Sequence, residues 1–194
     1  MNNDLKDTLV LCDLDYLLLD ANGSLPQVLR DVMQLFASRG GRLTVFSQRS
    51  PRAVRTLLGS VRLAAPALVC GGTLAYQFST GTAQALCSFA GREETVLQKL
   101  PSAVGLGIAL QMTDGTTRVL RMSEALEAHL REEWTPFVLS NAADVRGEDV
   151  LRILLYQDKK QMPLLPLLDQ TLGEAGNTVL AARTAPDTLV LTPG

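Results

Sequence analysis

Asp13 and Asp15 lie two residues apart, and of all the side chains in this sequence their types and spacing best suit catalysis or metal binding. They follow a short apolar run, and side chains two apart on an extended segment share a face. Both can therefore address one point beyond a strand. Like charges this close repel unless a cation lies between them or one stays protonated, which suits a Mg²⁺ site or a nucleophile beside a general acid and base. The spacing leaves equally open that the pair only ends a strand and caps a turn.

Polar and small residues follow the next two apolar runs as well. Ser47 comes directly after the second run, where a hydroxyl and backbone N–H groups can hold a phosphate oxygen. Arg49 adds a positive charge there or braces the loop. The third run ends in Gly71 and Gly72, which leave room for a ligand or form an ordinary turn. Ligands of open α/β sheets bind at the carboxyl ends of strands, so Ser47 is predicted to join the two carboxylates.

Alternating strands and helices are predicted to position these residues. The pattern of the first 76 residues is βαβαβ, which favours a right-handed parallel sheet and an α/β fold. The first apolar run suits a strand buried on both faces. A proline near the start of each helical pattern and glycines after the first one mark the helix ends. The strands are predicted at residues 8–12, 43–46 and 67–70, and the helices at 26–38 and from 51 onward.

The pattern changes after about residue 76, where hairpins mix with helices. An Asp-Gly pair at residues 114–115 predicts a hairpin between two strands, and Ser123 is predicted to open a helix. His129, on that helix, is predicted to be a solvated or interfacial residue. Further elements are predicted at 150–156, 164–172, 178–182 and 188–191. We therefore expect two domains, residues 1–76 and residues 77–194, the second of α+β type.

Composition excludes several classes of protein. Lysine plus arginine number 18 and aspartate plus glutamate 20, a net charge of −2, which disfavours nucleic-acid binding. No apolar run approaches the roughly 20 residues that span a bilayer, and the first residues carry no apolar export signal. Three widely spaced cysteines argue against a disulfide framework or zinc site. A cytoplasmic protein without membrane partners is predicted.

Four segments resemble the haloacid dehalogenase (HAD) superfamily in its Cof-like branch of sugar-phosphate phosphatases. DLDYLLLD at residues 13–20 is similar to that family's DxDGTLLD, and FSQRSP at 46–51 is similar to ATGRSP. CGGT at 70–73 stands where the family has a phrase like CFNGA, and LVLTPG at 189–194 looks like the cap's LEIMPKG. The resemblance implies a Rossmann-like parallel-sheet core, here partial, with an α+β Cof-type (C2) cap.

The resemblance also implies an activity, the Mg²⁺-dependent hydrolysis of a small phosphomonoester. Asp13 would be the nucleophile, Asp15 the general acid and base, and both would be ligands of Mg²⁺. Ser47, Gln48 and Leu14 would bind the phosphate. The implied partner is a small phosphorylated metabolite.

Departures from the family pattern predict that this activity is impaired. Tyr16 and Leu17 replace the glycine and threonine of the first motif, and Gly71 replaces an asparagine. The family's later lysine and GDxxND motifs are not found, and Lys159, Lys160 and Asp187 are poor substitutes. The alternative is a non-catalytic module that binds phosphate or a protein, with a receiver-like domain as a weaker rival. A partial core would expose a sheet edge, so self-association is also predicted.

Overall fold

The structure, a computed structural model, describes residues 5–101, 105–133, 135–145, 149–158 and 179–194. The chain forms two compact units, residues 1–86 and 87–194, each containing one β-sheet. The helix predicted at 164–172, together with Lys159 and Lys160, lies outside the described residues. Within the described part, no helix has the length and apolar character to cross a membrane.

The first unit has a five-stranded sheet whose spatial order follows the chain. Its strands are β1 (Leu9–Asp13), β2 (Arg42–Phe46), β3 (Ala67–Val69), β4 (Leu74–Gln77) and β5 (Thr82–Ala85). β1, β2 and β3 pair in parallel, whereas β3, β4 and β5 pair antiparallel. The predicted parallel βαβαβ unit is therefore confirmed. The unit continues to Leu86 and not only to residue 76, because β4 and β5 extend the same sheet.

Two helices connect the parallel strands, α1 (Gln27–Ser38) and α2 (Pro51–Leu58). Ser50 caps α2 as predicted, since its Oγ accepts a hydrogen bond from Ala53 N at 3.3 Å. The Arg30 guanidinium of α1 donates to the carbonyl oxygens of Leu57 and Leu58 at the end of α2. This contact satisfies carbonyls that the helix leaves without an internal partner.

The expectation that the first apolar run is buried on both faces is wrong. Leu9 and Leu11, which share one face of β1, are 53% and 51% exposed. β1 lies at the end of the strand order, where packing covers it less than the neighbouring β2. In contrast, Val45 of β2 is fully buried.

The second unit has a six-stranded sheet of order β10–β11–β9–β6–β7–β8 and two described helices. These elements are α3 (Glu93–Leu97), β6 (Leu106–Met112), β7 (Thr117–Arg121), α4 (Glu124–Glu132), β8 (Phe137–Leu139), β9 (Val150–Gln157), β10 (Val179–Ala185) and β11 (Thr188–Pro193). All described pairs are antiparallel except β7 with β8. The predicted β6–β7 hairpin is confirmed, with Gly115 at φ +83° in its turn.

The core of the second unit forms on both faces of β6 and β9, whose residues are buried throughout. One face packs against Phe89 and Val96. The other packs against Leu126 and Leu130 of α4. Ser123 begins α4 as predicted, because its Oγ accepts from Leu126 N at 3.2 Å.

Candidate functional site

Asp13 is the last residue of β1 and caps the turn that follows. Its Oδ1 accepts a hydrogen bond from Tyr16 N at 3.0 Å, and residues 14–18 form one π-helical turn. Leu14 anchors this turn because its side chain is fully buried. Tyr16 and Leu17 are 77% and 71% exposed, so the turn accommodates both bulky residues by leaving them in solvent.

Asp15, within that turn, accepts three hydrogen bonds from one segment of the neighbouring loop. Its Oδ2 accepts from Ser47 Oγ at 2.9 Å and from Gln48 N at 2.7 Å. Its Oδ1 accepts from Arg49 Nε at 2.8 Å, an ion pair whose side chains are only 15% exposed at Asp15 and 30% exposed at Arg49. Charge-assisted bonds of this kind are stronger than neutral ones, so they fix the carboxylate to the loop.

The parallel register explains why these residues meet. Asp13 of β1 lies opposite Phe46 of β2, and Phe46 lies opposite Leu68 of β3. The loop after each strand therefore begins at the same edge of the sheet, as predicted. Among the described residues, Ser47 donates a hydrogen bond to Asp15, whereas the Asp13 carboxylate accepts one from Tyr16 N within its own turn.

The loop after β3 braces the segment that holds Asp15. Cys70, Gly71 and Gly72 have positive φ angles of 52°, 65° and 85°. Cys70 N donates to Arg49 O at 2.9 Å, and Gly71 N donates to Ser47 O at 3.0 Å. Glycine adopts such angles without a steric penalty, so the pair serves as a tight turn, one of the two roles left open by the sequence.

The donor set at this edge provides one suitable carboxylate for Mg²⁺. Asp13 Oδ1 holds the turn, and no described residue donates a hydrogen bond to its Oδ2. Both oxygens of Asp15 already accept hydrogen bonds, one of them from a cation. Mg²⁺ binds through one or two carboxylates and keeps several waters, so Asp13 fits it better than the Asp15 carboxylate. Among the described residues, no group of three histidine, cysteine or acidic side chains could hold a metal ion.

Two side-chain contacts in the structure could not be predicted from the sequence. The ion pair between Arg49 and Asp15 depends on loops from different strands, and the sequence offered Arg49 only as a charge or a brace. In the second unit, His129 of α4 stacks on Tyr156 of β9, with ring centroids 4.7 Å apart and planes at 27°. No local pattern signals that contact, because the two rings come from separate elements.

Known structures share this architecture although their sequences differ widely. A haloacid dehalogenase-like hydrolase from Bacteroides thetaiotaomicron has a TM-score of 0.79 at 15% identity, covering 96% of this chain and 71% of that one. A HAD/COF-like hydrolase from Plasmodium vivax has a TM-score of 0.72 at 14% identity, covering 98% and 69%. A second protein from B. thetaiotaomicron, described among the phosphatases of the HAD superfamily, has a TM-score of 0.71 at 14% identity, covering 96% and 67%.

The chain has the fold of the HAD-like hydrolases. The α/β fold class and the predicted resemblance to the HAD superfamily are confirmed at the level of fold. No family model matches the sequence, and neither does any curated protein. The roles predicted for Asp13, Asp15, Ser47, Gln48 and Leu14 stay predictions, because the HAD-like fold alone does not assign them.

Proposed function

We propose that this chain binds small phosphomonoesters at the edge formed by Asp13 and Asp15, and is a HAD-type phosphatase of impaired turnover. The observation that supports this most is the set of hydrogen bonds that Asp15, in the turn capped by Asp13, accepts from Ser47, Gln48 and Arg49 of the loop after β2. An acidic pair can supply a nucleophile and a general acid, and a hydroxyl, a main-chain N–H and a guanidinium can stabilise phosphoryl oxygens.

In the proposed reaction, Asp13 acts as the nucleophile. Its carboxylate oxygen bonds to phosphorus while the bond from phosphorus to the leaving alcohol oxygen breaks. A protonated Asp15 gives its proton to that oxygen and then, as a carboxylate, takes one from the water that hydrolyses the aspartyl phosphate. Ser47 Oγ and the backbone N–H groups of Gln48 and Leu14 would bind the phosphoryl oxygens.

Asp13 would hold Mg²⁺ through its carboxylate, and the backbone carbonyl of Asp15 would be a second ligand in the proposed site. When bound, the ion would neutralise phosphate charge beside the Asp13 carboxylate. The second unit would act as the cap that excludes water and selects the substrate.

Two features support low turnover. Both oxygens of Asp15 are engaged, so this side chain must release Arg49 or Ser47 before it can reach a leaving group. Tyr16 also places an exposed ring on the turn beside Asp13, in the position of the family's glycine. A slow or infrequent rearrangement of Asp15 would limit every catalytic cycle.

A non-catalytic phosphate-binding module is the second candidate. Ser47 Oγ, Gln48 N and Arg49 Nε converge on the carboxylate of Asp15, and the same three donors suit the oxygens of a phosphate. A module of this kind would retain phosphate affinity without using Asp13 as a nucleophile.

Two assays on the full chain separate these candidates. Hydrolysis of p-nitrophenyl phosphate, measured with and without Mg²⁺, is expected to be slow and to disappear in Asp13→Asn. Asp31→Asn, an exposed acid on α1, is the matched control and should change nothing. Calorimetric titration with orthophosphate tests the non-catalytic alternative.

The possible results point in different directions. Fast Mg²⁺-dependent turnover that Asp13→Asn abolishes would contradict the impairment. Phosphate binding without turnover would favour the module. If neither turnover nor phosphate binding is found in the folded protein, the proposal is wrong.

A further inference from the structure

A cavity of about 630 Å³ lies within the second unit and plays no part in the proposed phosphate chemistry. It is bounded by α4, the end of β9 and the turn between β10 and β11. Alanines contribute part of its wall, at Ala125, Ala128 and Ala185. The cavity is therefore large enough for a small molecule and includes an apolar surface that methylene groups can cover.

The charge of the lining is strongly negative. Glu124 and Glu132 of α4 face the cavity, as do Asp158 and Asp187, and the described lining includes no lysine or arginine. Carboxylates gathered in one concavity raise the local concentration of cations. The lining therefore favours a positively charged ligand.

Tyr156 supplies an unused polar group in this cavity. Its side chain is 8% exposed, and no hydrogen bond of its hydroxyl is found among the described residues. Burial, with the nearby Glu133, raises the pKa of the Tyr156 hydroxyl, so it remains a neutral phenol that can accept a hydrogen bond. Because Tyr156 lines the cavity, its hydroxyl can accept a hydrogen bond from a ligand N–H there.

His129 forms an aromatic surface together with the ring of Tyr156. Its ring stacks on Tyr156, and its Nε2 lies 3.7 Å from Glu133 Oε2. Aromatic faces attract ammonium groups and also pack against methylene chains. The lining thus combines carboxylates, an aromatic surface and a phenol.

We propose that this cavity binds an aliphatic polyamine. Glu124 and Glu132 lie at the two ends of α4, about 12 Å apart along its axis, a separation that suits two ammonium groups joined by a methylene chain. A bare metal ion is the poorer fit, since no three candidate ligands among the described residues come together around one point. The proposal does not depend on phosphatase activity.

Calorimetric titration of the full chain with spermidine tests the proposal. Saturable binding to one site is expected, with an affinity reduced about tenfold in Glu132→Gln because one charge-assisted hydrogen bond is lost. Tyr156→Phe should produce a smaller loss. Glu127→Gln is the matched control, because Glu127 lies on the same helix but pairs with Arg131 outside the cavity lining. Asp13→Asn should bind spermidine normally.

Other ligands complete the test. Butylamine, with one ammonium group, should bind more weakly than spermidine, and Mg²⁺ should not displace spermidine at equal concentration. If Glu132→Gln fails to fold by circular dichroism, Asp187→Asn takes its place. The absence of saturable spermidine binding would overturn the proposal, as would equal losses in Glu127→Gln and Glu132→Gln or equal competition by Mg²⁺.

Discussion

At the scale of single residues, Asp13 and Asp15 show how two identical side chains in one turn acquire different environments. Asp13 accepts one described hydrogen bond, from an N–H within its own turn. Asp15 accepts three from the neighbouring loop, including one from the Arg49 guanidinium, and its donor Ser47 is fully buried. Asp15 therefore joins two loops, whereas Asp13 shapes only one.

This difference predicts unequal costs of truncation. Asp15→Ala should lower the free energy of unfolding by about 2 kcal/mol, because a buried hydroxyl and a guanidinium lose their acceptor. Asp13→Ala, the matched comparison, should cost less than about 1 kcal/mol, since it removes one exposed hydrogen bond. Urea unfolding measures both values. Equal costs would mean that the bonds of Asp15 contribute little to stability.

At the scale of elements, the cap of α4 links the helix to the sheet of the second unit. Ser123 Oγ accepts from Leu126 N, and the same hydroxyl donates to Tyr156 O of β9 at 3.4 Å. Gly107 of β6 leaves space beside it, since a Cβ there would lie 2.6 Å from that hydroxyl oxygen. The cap therefore positions the helix that lines the polyamine cavity.

Removal of this cap should be measurable. Ser123→Ala is expected to destabilise the protein by about 1 kcal/mol, because the amide of Leu126 loses its acceptor. Ser140→Ala in the same unit is the control, as no hydrogen bond of its hydroxyl is found among the described residues. Thermal unfolding reports both variants. A loss in Ser140→Ala as large as that in Ser123→Ala would argue against a capping role.

The elements that sequence reasoning anticipated are those with local signals. Local signals determine three of these features: the serine caps, the proline that opens α2 and the Asp-Gly turn. Each depends only on residues within a few positions in the sequence, so each could be predicted. β5 and β8 were not predicted, because both strands are exposed throughout and lack an alternating apolar pattern. The partners of Asp15 could not be specified either, since they depend on how separate loops fold together.

At the scale of the whole molecule, the first unit presents an apolar surface near an edge strand. β1 has one described neighbour in the sheet, and its Leu9 and Leu11 are about half exposed. α1 also exposes Val28, Val32 and Leu35. Unpaired strand edges and exposed apolar surface favour association.

Self-association therefore remains our prediction for the intact chain. Sedimentation velocity should show an average mass that rises with concentration, and Leu11→Lys should reduce that rise by adding a charge to β1. Thr80→Lys, in the turn between β4 and β5 at the other end of the strand order from β1, adds the same charge and is the control, which should behave as the unmodified chain does. A monomer at every concentration would contradict the prediction.

The loop after β3 also bears on which substitutions the neighbouring loop after β2 can tolerate. Cys70 and Gly71 contact Arg49 and Ser47 through main-chain hydrogen bonds, in which an N–H of the loop after β3 donates to a carbonyl oxygen of the loop after β2. Because these bonds join main-chain atoms, they do not depend on which side chains the loop after β2 carries. These two bonds would therefore persist if the side chains of the loop after β2 changed, although the hydrogen bonds from Ser47 Oγ and Arg49 Nε to Asp15 would not. Such a main-chain frame can keep the path of a loop in place in sequences that carry different side chains there.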